Sequence, residues 1–443
     1  MRLLVIDPHG DGLDVAVRAQ RDGHEVRYFV RPHKKTEHIG QGFVHVTGDF
    51  KEWVRWADIV FAADNTVYLR DMQAARNEGH RGIIAATEET ASWEINRPVG
   101  QRMFRKHGIA TIPFRQFDDY DAAIRYVKKE DRRFVSKPCG DDDKDKALSY
   151  VSKSPEDMVY MLERWQRLGK LKNPFILQEF IDGCEMAVGA FFGPGGFNEG
   201  WCENWEFKKF MNNDLGVATG EQGTVVRFVK QSKLARRVLA PLAGELEKQN
   251  YIGYIDVNCI IDDQGVAWPL EFTMRPGWPT YNIQMALMKG DTAQWLLELT
   301  QGKDSRIWIY DSVAIGVVMS VPDYPYSHIT QREVVGIPIY GIKPSLWEHV
   351  HPCCMMMGHA PKKSNGTFHD LPMPVTAGDY VLIMTALGPT VRDAANTVYR
   401  RLGNLIVPNS PMYRTDIGRR LGKQLPKLQS KGYATDMVYS LTS

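Results

Sequence analysis

The stretch "GVAWPLEFTMRPGWPTYN", residues 265 to 282, places a single acidic residue, Glu271, inside an apolar run that is typical of a buried β-strand. Thr273 follows two residues later and points to the same face of such a strand, and Arg275 comes two residues after that. A lone carboxylate in a buried strand is costly unless a cation compensates it. The stretch therefore predicts a strand end that holds a metal ion, with Arg275 placed to hold an anionic group nearby.

The segment before it extends this prediction to a hairpin. "YIDVNCIIDDQGVAWPLEF", residues 254 to 272, has two strand-like halves separated by a turn at Asp262–Gly265. Asp256 and Glu271 then lie on paired strands, and with the hydroxyl of Thr273 they form a site of hard oxygen ligands that suits Mg²⁺ and phosphate oxygens. The alternative interpretation is that both carboxylates are solvated at strand ends. For Asp256 alone, the metal-ligand and solvated interpretations are equally open.

The rest of the chain predicts a mixed α/β and α+β protein. Strands and helices alternate through about residue 90, which indicates a parallel α/β layer. One helix is predicted over 92–108, ended by Gly108, and another over 232–250. Two strands of a smaller sheet are expected to flank a helix over 154–170, and the last third reads as a compact α+β domain.

Composition excludes several classes of protein. The chain has 443 residues, which at roughly 100–200 residues per domain suggests two to four domains. Hydrophobic residues make up 43% and charged residues 24%, and the net charge of +2 includes no basic tract that would argue for nucleic acid. No run approaches the roughly 18 apolar residues that cross a bilayer, and no secretory signal is evident, so a cytoplasmic protein with reduced cysteines is expected. The sequence sets no oligomeric state.

Two further segments supply candidates for nucleotide binding. Lys137 ends the strand-like "RRFVSKP", before a charged turn at 141–146, where its ammonium would reach a phosphate. "FILQEFIDGCEMAV" offers backbone groups at Glu179 and Ile181 for an adenine edge, next to Gln178, and Glu185 for ribose hydroxyls. Without other information, Lys137 is equally well interpreted as a surface lysine, and the segment around Glu179 as a plain edge strand.

Taken in order, these pieces resemble the ATP-grasp fold, and most closely the glycinamide ribonucleotide synthetase family. That family's E-F-N-V-R-F-G-D-P-E resembles "EFTMRPGWPT" at 271–280, and its D-H-K-R…D-x-G-x-x-T-G-x-x-G resembles "EFKKFMNNDLGVATGEQG" at 206–223. Its S-K-x-x-x-K…G-I-P-T helix is similar to "INRPVGQRMFRKHGIAT", which puts Arg97 at the position of a lysine that touches ATP phosphates. Its Y-R-x-D-I-G is similar to "YRTDIG" at 413–418, so the resemblance runs from residue 1 to about 421.

The resemblance implies three domains: an N-terminal α/β domain over 1–100, an ATP-grasp domain over 101–305 with a lid at about 117–186, and a C-terminal domain over 306–443. It implies an ATP-dependent ligase that joins a small-molecule carboxylate to an amine through an acyl phosphate, with Mg²⁺ as the metal and Mn²⁺ as an alternative. The implied residues are Glu271, Asp256 and Thr273 for the metal; Arg97, Lys137, Gln178, Glu179, Ile181 and Glu185 for ATP; and Arg275 and Lys208 for catalysis.

The sequence departs from the family mainly where the substrates would bind. The turn G-G-R-E-H-A, which in the family helps to hold phosphoribosylamine, is here "HGDGLD", so that Asp11 replaces an arginine and would repel a phosphate. Trp278 and Thr280 replace two acids of G-D-P-E, and Glu221 replaces a glycine of N-T-G-G-M-G. These changes predict a ligase with altered substrates, and Glu221 suggests a cationic partner. The alternatives are an unchanged phosphoribosylamine–glycine ligase and a nucleotide-binding protein without catalysis.

Two other clusters have less specific interpretations. His349, His351, Cys353, Cys354 and His359 are soft-metal ligand types, but their spacing favours a partly buried strand over a zinc or copper site. The basic segment "VRPHKK" at 30–35 is interpreted as a solvated turn rather than a phosphate site.

Overall fold

The N-terminal part of the chain is a parallel five-stranded sheet covered by helices, as the sequence predicts. A computed structural model describes residues 1–139, 149–170, 174–303, 308–326, 332–408 and 410–441, so the predicted charged turn at 141–146 lies outside the described residues. The strands are β1 (Arg2–Asp7), β2 (Glu25–Val30), β3 (Val46–Thr47), β4 (Ile59–Ala62) and β5 (Ile83–Ile84), in the order β3-β2-β1-β4-β5. The helices of this layer are α1 (Leu13–Arg21), α2 (Lys51–Val54) and α3 (Leu69–Asn77).

The helix predicted over 92–108 is in fact two helices, α4 (Glu88–Ile95) and α5 (Arg97–Lys106). Asn96 between them has an extended backbone, with φ −113° and ψ 93°, and its side chain accepts a hydrogen bond from the amide of Val99. An asparagine cap followed by Pro98 in the first turn starts a new helix, which explains the break. The break sets Arg97 at the beginning of α5.

A smaller antiparallel sheet follows, with its own apolar core. Its strands are β6 (Phe114–Phe117), β7 (Phe134–Pro138), β8 (Tyr150–Val151) and β9 (Phe175–Glu179), in the order β6-β9-β7-β8. Helices α6 (Tyr120–Glu130) and α7 (Pro155–Arg167) pack on it through buried residues such as Phe134, Leu162 and Phe175.

The largest sheet is antiparallel and has nine strands, eight of them in the order β17-β16-β10-β12-β15-β18-β22-β19, with β11 paired to β10. These strands are β10 (Cys184–Gly193), β11 (Gly196–Phe197), β12 (Trp201–Glu206), β15 (Gly223–Val229), β16 (Gly253–Ile261), β17 (Ala267–Thr273), β18 (Val313–Ser320), β19 (Val350–Pro352) and β22 (Tyr380–Gly388). Because β15 pairs with β18, one sheet runs across residues 305 and 306. The division into domains 1–100, 101–305 and 306–443 stays a prediction.

Two hairpins and the remaining helices complete the described structure. The hairpins are β13 (Lys209–Met211) with β14 (Leu215–Ala218), and β20 (Met355–Ser364) with β21 (Thr367–Thr376). The helices are α8 (Lys233–Val238), α9 (Ala243–Lys248), α10 (Thr280–Leu287), α11 (Thr292–Thr300), α12 (Val391–Leu402) and α13 (Leu421–Ser430), with short 3₁₀ helices at Asn212–Asp214, Ala240–Leu242, Arg332–Val334 and Pro344–His349. The single helix predicted over 232–250 is wrong, since Pro241 lies in a 3₁₀ turn between α8 and α9. In the described part of the chain, no helix is both long and apolar enough to cross a membrane.

A buried ion-pair network joins the N-terminal layer to the large sheet. Asp14 on α1 accepts hydrogen bonds from Arg18 at 2.9 Å and pairs with His351 Nδ1 of β19 at 2.6 Å, while Thr385 of β22 contacts the other ring nitrogen at 3.0 Å. Asp14 and His351 are buried, so this contact explains His351 without a metal. Cys353 and Cys354 are also buried, and in the described residues no three or more histidine, cysteine, aspartate or glutamate side chains come together as a metal site made of these types alone.

Replacing Asp14 by alanine is expected to lower the free energy of unfolding by about 3 kcal/mol, because the change leaves Arg18 and His351 without their buried partner. Chemical denaturation measures this change. The matched control is Asp71→Ala, which removes an exposed ion pair with Lys51 and should cost less than about 1 kcal/mol. Equal losses in the two variants would contradict the structural role of Asp14.

Candidate active site

One face of the nine-stranded sheet carries polar side chains on its adjacent strands β10, β12, β16 and β17. In the strand register, Asn258 lies opposite Glu271, and Asp256 lies opposite Thr273. Directly paired residues point to the same face, while the alternate residues of these strands enter the apolar core on the other face. The side chains that this face brings together are Glu185, Asn204, Glu206, Asp256, Asn258, Glu271 and Thr273.

The ammonium of Lys208 lies among three carboxylates on this face. Its Nζ is 3.0 Å from Glu206 Oε2, 3.2 Å from Glu185 Oε1 and 3.4 Å from Glu271 Oε1. Asn258 Nδ2 donates to Glu185 and Glu206, both at 2.9 Å. Burial opposes the charge on Lys208, but the three carboxylates together hold its pKa well above its usual range. The sequence-predicted residues Lys208, Glu185 and Glu271 are therefore in direct contact.

Arg97 supplies the second cation at Glu271. Its Nη1 donates to Glu271 Oε2 at 2.9 Å, because the break at Asn96 starts α5 beside the end of β17. Burial alone would raise the pKa of Glu271, but Lys208, Arg97 and Lys137 hold that pKa well below its usual range. Glu271 is thus a carboxylate that stays ionised in a partly buried position.

Asp256 has different partners from those of Glu271. Its Oδ2 accepts hydrogen bonds from Asn204 Nδ2 at 2.8 Å and from the hydroxyl of Tyr254 at 3.1 Å. Burial first and the charge of Glu206 second raise the pKa of Asp256 to about 7. The sequence pairs Asp256 with Glu271, whereas the register brings Asn258 opposite Glu271 and leaves Asp256 opposite Thr273.

The donor set of this face fits a hydrated divalent cation and a polyphosphate. Its ligands are oxygen atoms of carboxylates, amides and a hydroxyl, the types that Mg²⁺ prefers. Within the described residues, the buried Oδ1 atoms of Asn204 and Asn258 accept no hydrogen bond, so they remain available as oxygen donors. Arg97, Lys137 and Lys208 add the positive charge that phosphates need.

The candidate adenine residues lie at the end of the four-stranded sheet. Gln178 is buried on β9, where it is paired with Phe114 on one side and Val135 on the other. The amide of Glu179 donates to the carbonyl of Pro113 at 2.9 Å, and its carboxylate pairs with Arg132 at 3.0 Å. Ile181 follows directly after this strand and is half-buried. Because the sheet already uses the amide of Glu179, its carbonyl and the backbone of Ile181 are the groups that fit an adenine edge.

Arg275 connects this face to a second region. Its Nε is 3.3 Å from Glu94 Oε1, and Glu94 Oε2 accepts bonds from the Met274 amide and from Asn65, both at 2.6 Å. Burial opposes the charge of Arg275, but Glu94, Asp11 and Asp64 raise its pKa. Arg275, four residues after Glu271, therefore interacts electrostatically with Asp11 on the turn after β1.

A cavity of about 450 Å³ opens beside that turn. It is lined by Pro8, His9, Gly10, Asp11, Arg31, His33, Lys35, Thr36, Trp278, Tyr324, Cys353, Cys354 and Tyr380. The ring centroids of Trp278 and Tyr380 are 3.8 Å apart, and those of Tyr324 and Tyr380 are 5.3 Å apart. The segment at 30–35 is an exposed turn, as interpreted from sequence, and its residues Arg31, His33 and Lys35 also line this cavity.

The turn after β1 is closed by a side chain that the sequence analysis missed. Asp7 Oδ1 accepts from the amides of His9, Gly10 and Asp11 at 3.0, 2.8 and 3.1 Å, and Oδ2 accepts from the amide of Gly12 at 2.7 Å. The turn needs a glycine at Gly10, whose φ is +100°. One buried carboxylate thus uses four amide groups of the turn that precedes α1.

Sequence reasoning also missed Glu206 and Asn258 on the sheet face, and Glu94 beside Arg275. Asn258 is two residues after Asp256, and residues two apart in a strand lie on the same face. Strand periodicity could therefore have identified Asn258. Glu206 begins the very segment that resembles D-H-K-R. Glu94 has no comparable signal, because its contact with Arg275 joins positions 181 residues apart, as the numbers 94 and 275 show.

Comparisons with known proteins agree with this architecture. A family model described as phosphoribosylglycinamide synthetase, ATP-grasp (A) domain, matches residues 97–280. The phosphoribosylamine–glycine ligase of Salmonella typhimurium is 26% identical over 348 residues, which cover 76% of this chain and 77% of that protein. The corresponding ligase of Haemophilus influenzae is 24% identical over 348 residues, with the same coverage of 76% and 77%.

Solved structures show the same fold. The crystal structure of phosphoribosylamine–glycine ligase from Thermotoga maritima matches with a TM-score of 0.70 and 18% identity, over 94% of this chain and 100% of that chain. N5-carboxyaminoimidazole ribonucleotide synthetase from the same organism matches with a TM-score of 0.57 and 14% identity, over 92% and 99% of the two chains. The family match, the relatives and the polar sheet face agree: residues 97–280 match the ATP-grasp domain of phosphoribosylglycinamide synthetase, and the chain is an ATP-grasp ligase of the ADP-forming class that makes carbon–nitrogen bonds.

Proposed function

We propose that this ATP-dependent carboxylate–amine ligase joins substrates other than glycine and phosphoribosylamine. The observation that carries the proposal is the Asp7 carboxylate, which takes up the amides of the turn after β1. In parallel α/β folds, this turn and the helix that follows it are where phosphate groups bind. A phosphate there would have to displace four hydrogen bonds and approach a buried negative charge.

The positions that depart from the family also converge in space. Asp11 and Trp278, which are 267 residues apart by their numbers, line the same cavity. Glu221 is buried, and its carbonyl accepts a hydrogen bond from Tyr380 of that cavity at 3.3 Å. Burial and the charge of Glu206 hold the pKa of Glu221 well above its usual range. Asp11 lines the cavity itself, so it fits the role of a cation-binding group better than Glu221 does.

The side chains on the sheet face fit the first half of the reaction. When bound, Mg²⁺ neutralises phosphate charge and fixes the phosphate geometry, with Glu271, Asn258, Thr273 and Asp256 as the oxygen donors that would hold it. Arg97, Lys137 and Lys208 stabilise the negative charge that develops as a substrate carboxylate oxygen bonds to the γ-phosphorus and the bond to ADP breaks. Positioning and charge are the main contributions a protein makes to such a transfer.

Arg275 fits the second half of the reaction, in which the amine displaces phosphate. It follows Glu271 by four residues, its guanidinium interacts electrostatically with Asp11 of the cavity, and this guanidinium would orient the acyl phosphate through two parallel hydrogen bonds. An amine in the cavity then forms the C–N bond, the C–O bond to phosphate breaks, and inorganic phosphate leaves with a proton released from the amine. We further infer that Mn²⁺ can replace Mg²⁺, since it accepts the same oxygen ligands.

A cytoplasmic location belongs to the same proposal. No two of the six cysteines form a disulfide in the described residues, which suits a reducing compartment, and ATP is the implied cosubstrate.

The test is ADP release with ATP and Mg²⁺ in the presence of pooled acids and pooled amines, with mass spectrometry of the products. We expect release that requires both an acid and an amine, and a product whose mass is their sum less one water. Release that needs neither would overturn the ligase proposal. Binding of ATP with no acid- and amine-dependent release would favour the alternative of a nucleotide-binding protein without catalysis.

A further inference from the structure

The cavity beside Asp11 differs in chemistry from a site for a sugar phosphate. Its best-defined wall is aromatic, formed by Trp278, Tyr324 and Tyr380. Tyr380 is buried, whereas Trp278 and Tyr324 are half-exposed, so their ring surfaces are available to a ligand. Flat rings gain from stacking on such surfaces beyond the area they bury. A volume of about 450 Å³ is in the usual range for small-molecule sites.

Asp11 gives this cavity a fixed place for a positive charge. It sits on the turn that the Asp7 carboxylate holds rigid, and it lies near Arg275 at the border with the sheet face. A ligand ammonium at Asp11 would therefore be directed toward the acyl group that Arg275 orients. Charge-assisted hydrogen bonds of this kind are stronger than neutral ones.

We propose that the amine substrate of this ligase is a primary amine carried by a flat ring, with its ammonium at Asp11, its ring against Trp278 and Tyr324, and no phosphate on the amides of residues 9–12. This inference rests on the proposed function, and it names the class of substrate that the function requires. Arg31, His33 and Lys35 line the cavity as well, so a negative group elsewhere on the ring is compatible with it.

Binding is expected to depend on pH through Asp11. Burial first and the Asp7 carboxylate second raise the pKa of Asp11 to about 8, with Arg275 and Lys35 opposing this shift. The titratable and charged groups that face it are Asp7 of β1, Asp64 after β4, Lys35 after β2, Arg275 after β17, the thiols of Cys353 and Cys354, and the hydroxyls of Tyr28 and Tyr380. Amine affinity should rise as pH increases from about 6.5 to about 9, because Asp11 gains its charge in that interval.

The experiment is calorimetric titration of the full chain without ATP, using tryptamine, tyramine and histamine as ring amines and 2-cyclohexylethylamine as the saturated control. We expect at least one ring amine to bind about fivefold more tightly than the saturated amine. Asp11→Asn should weaken that binding about tenfold and remove its pH dependence, since the amide keeps the shape but not the charge. Glu37→Gln, at an exposed acid on the neighbouring loop, should leave the binding unchanged.

A second measurement tests the phosphate part of the inference with the nucleotide site filled by a non-hydrolysable ATP analogue and Mg²⁺. Ribose 5-phosphate should not raise the Tm of the wild type, and it should raise the Tm of Asp7→Gly, in which the four amides are freed. The wild-type result stands even if the variant fails to fold.

The inference is overturned if no ring amine binds, if Asp11→Asn binds ring amines as well as the wild type, or if ribose 5-phosphate stabilises the wild type. Because these titrations need no turnover, they separate this inference from the ligase proposal. Ring-amine binding without amide formation would contradict only the proposed reaction.

Discussion

Glu271→Gln is expected to reduce acid- and amine-dependent ADP release by a factor of about 1,000 while the protein stays folded. The substitution keeps the size of the side chain and removes the charge that faces Lys208 at 3.4 Å and Arg97 at 2.9 Å. Glu271 is the carboxylate that contacts both of these cations, and they hold its pKa well below its usual range. Steady-state ADP release and the melting temperature together measure the effect.

The control for this variant is Glu52→Gln, at an exposed glutamate on α2. It should leave ADP release and Tm unchanged. If Glu271→Gln kept more than about a tenth of the wild-type rate, the assignment of Glu271 to metal and phosphate binding would be wrong.

Lys208→Met is expected to lower both activity and stability. The substitution removes the Lys208 ammonium, which in the wild type lies 3.0 to 3.4 Å from a carboxylate oxygen of Glu185, Glu206 and Glu271. These three carboxylates then face one another without this ammonium. These groups are about one third exposed or less, and solvent screening reduces the loss, so we expect about 1–3 kcal/mol of unfolding free energy at neutral pH. ADP release should fall about 100-fold, since Lys208 also offsets phosphate charge.

The pH dependence of this stability loss follows from the lowered pKa values of Glu185 and Glu271. A carboxylate whose pKa is lower in the folded state stabilises the fold above its unfolded pKa of about 4.5, and this contribution disappears as the pH falls through the folded value. The difference in unfolding free energy between wild type and Lys208→Met should therefore be largest at neutral pH and should decrease at acid pH. Mg²⁺ should stabilise the variant more than the wild type, because the ion can take over part of the lost charge.

Lys209→Met, at the next residue, is the matched control and should show none of these effects. Denaturation curves across pH, with and without Mg²⁺, measure them. A constant difference from neutral to acid pH would contradict the account of Lys208 as the counterion of the three carboxylates.

The sequence predicted the parts of this molecule that local pattern determines. The alternation of apolar runs indicated the parallel layer, and the turn at Asp262–Gly265 indicated the β16–β17 hairpin, where the amide of Gly265 donates to Asp262 at 2.9 Å. The family resemblance brought Lys208 and Arg97 into the prediction and related them to Glu185 and Glu271. The four residues come from four separate segments, and only the resemblance related them.

What the sequence did not predict depends on contacts between distant segments. The register that sets Asn258 opposite Glu271 includes an irregularity between Asn258 and Cys259, which strand periodicity alone does not reveal. The role of Asp7 requires knowing that the chain turns back on this carboxylate at Gly10. The breaks at Asn96 and Pro241 had local signals, an asparagine cap and a proline, that were outweighed by long helical patterns on either side.

The most direct test of the central claim is a reaction of the purified protein with ATP, Mg²⁺, glycine and phosphoribosylamine generated in place from ribose 5-phosphate and ammonia, followed by mass spectrometry. The account predicts that no glycinamide ribonucleotide forms, because the Asp7 carboxylate already occupies the amides of the phosphate position. Formation of glycinamide ribonucleotide with stoichiometric ADP would contradict the account and identify the chain as a phosphoribosylamine–glycine ligase with a rebuilt substrate site.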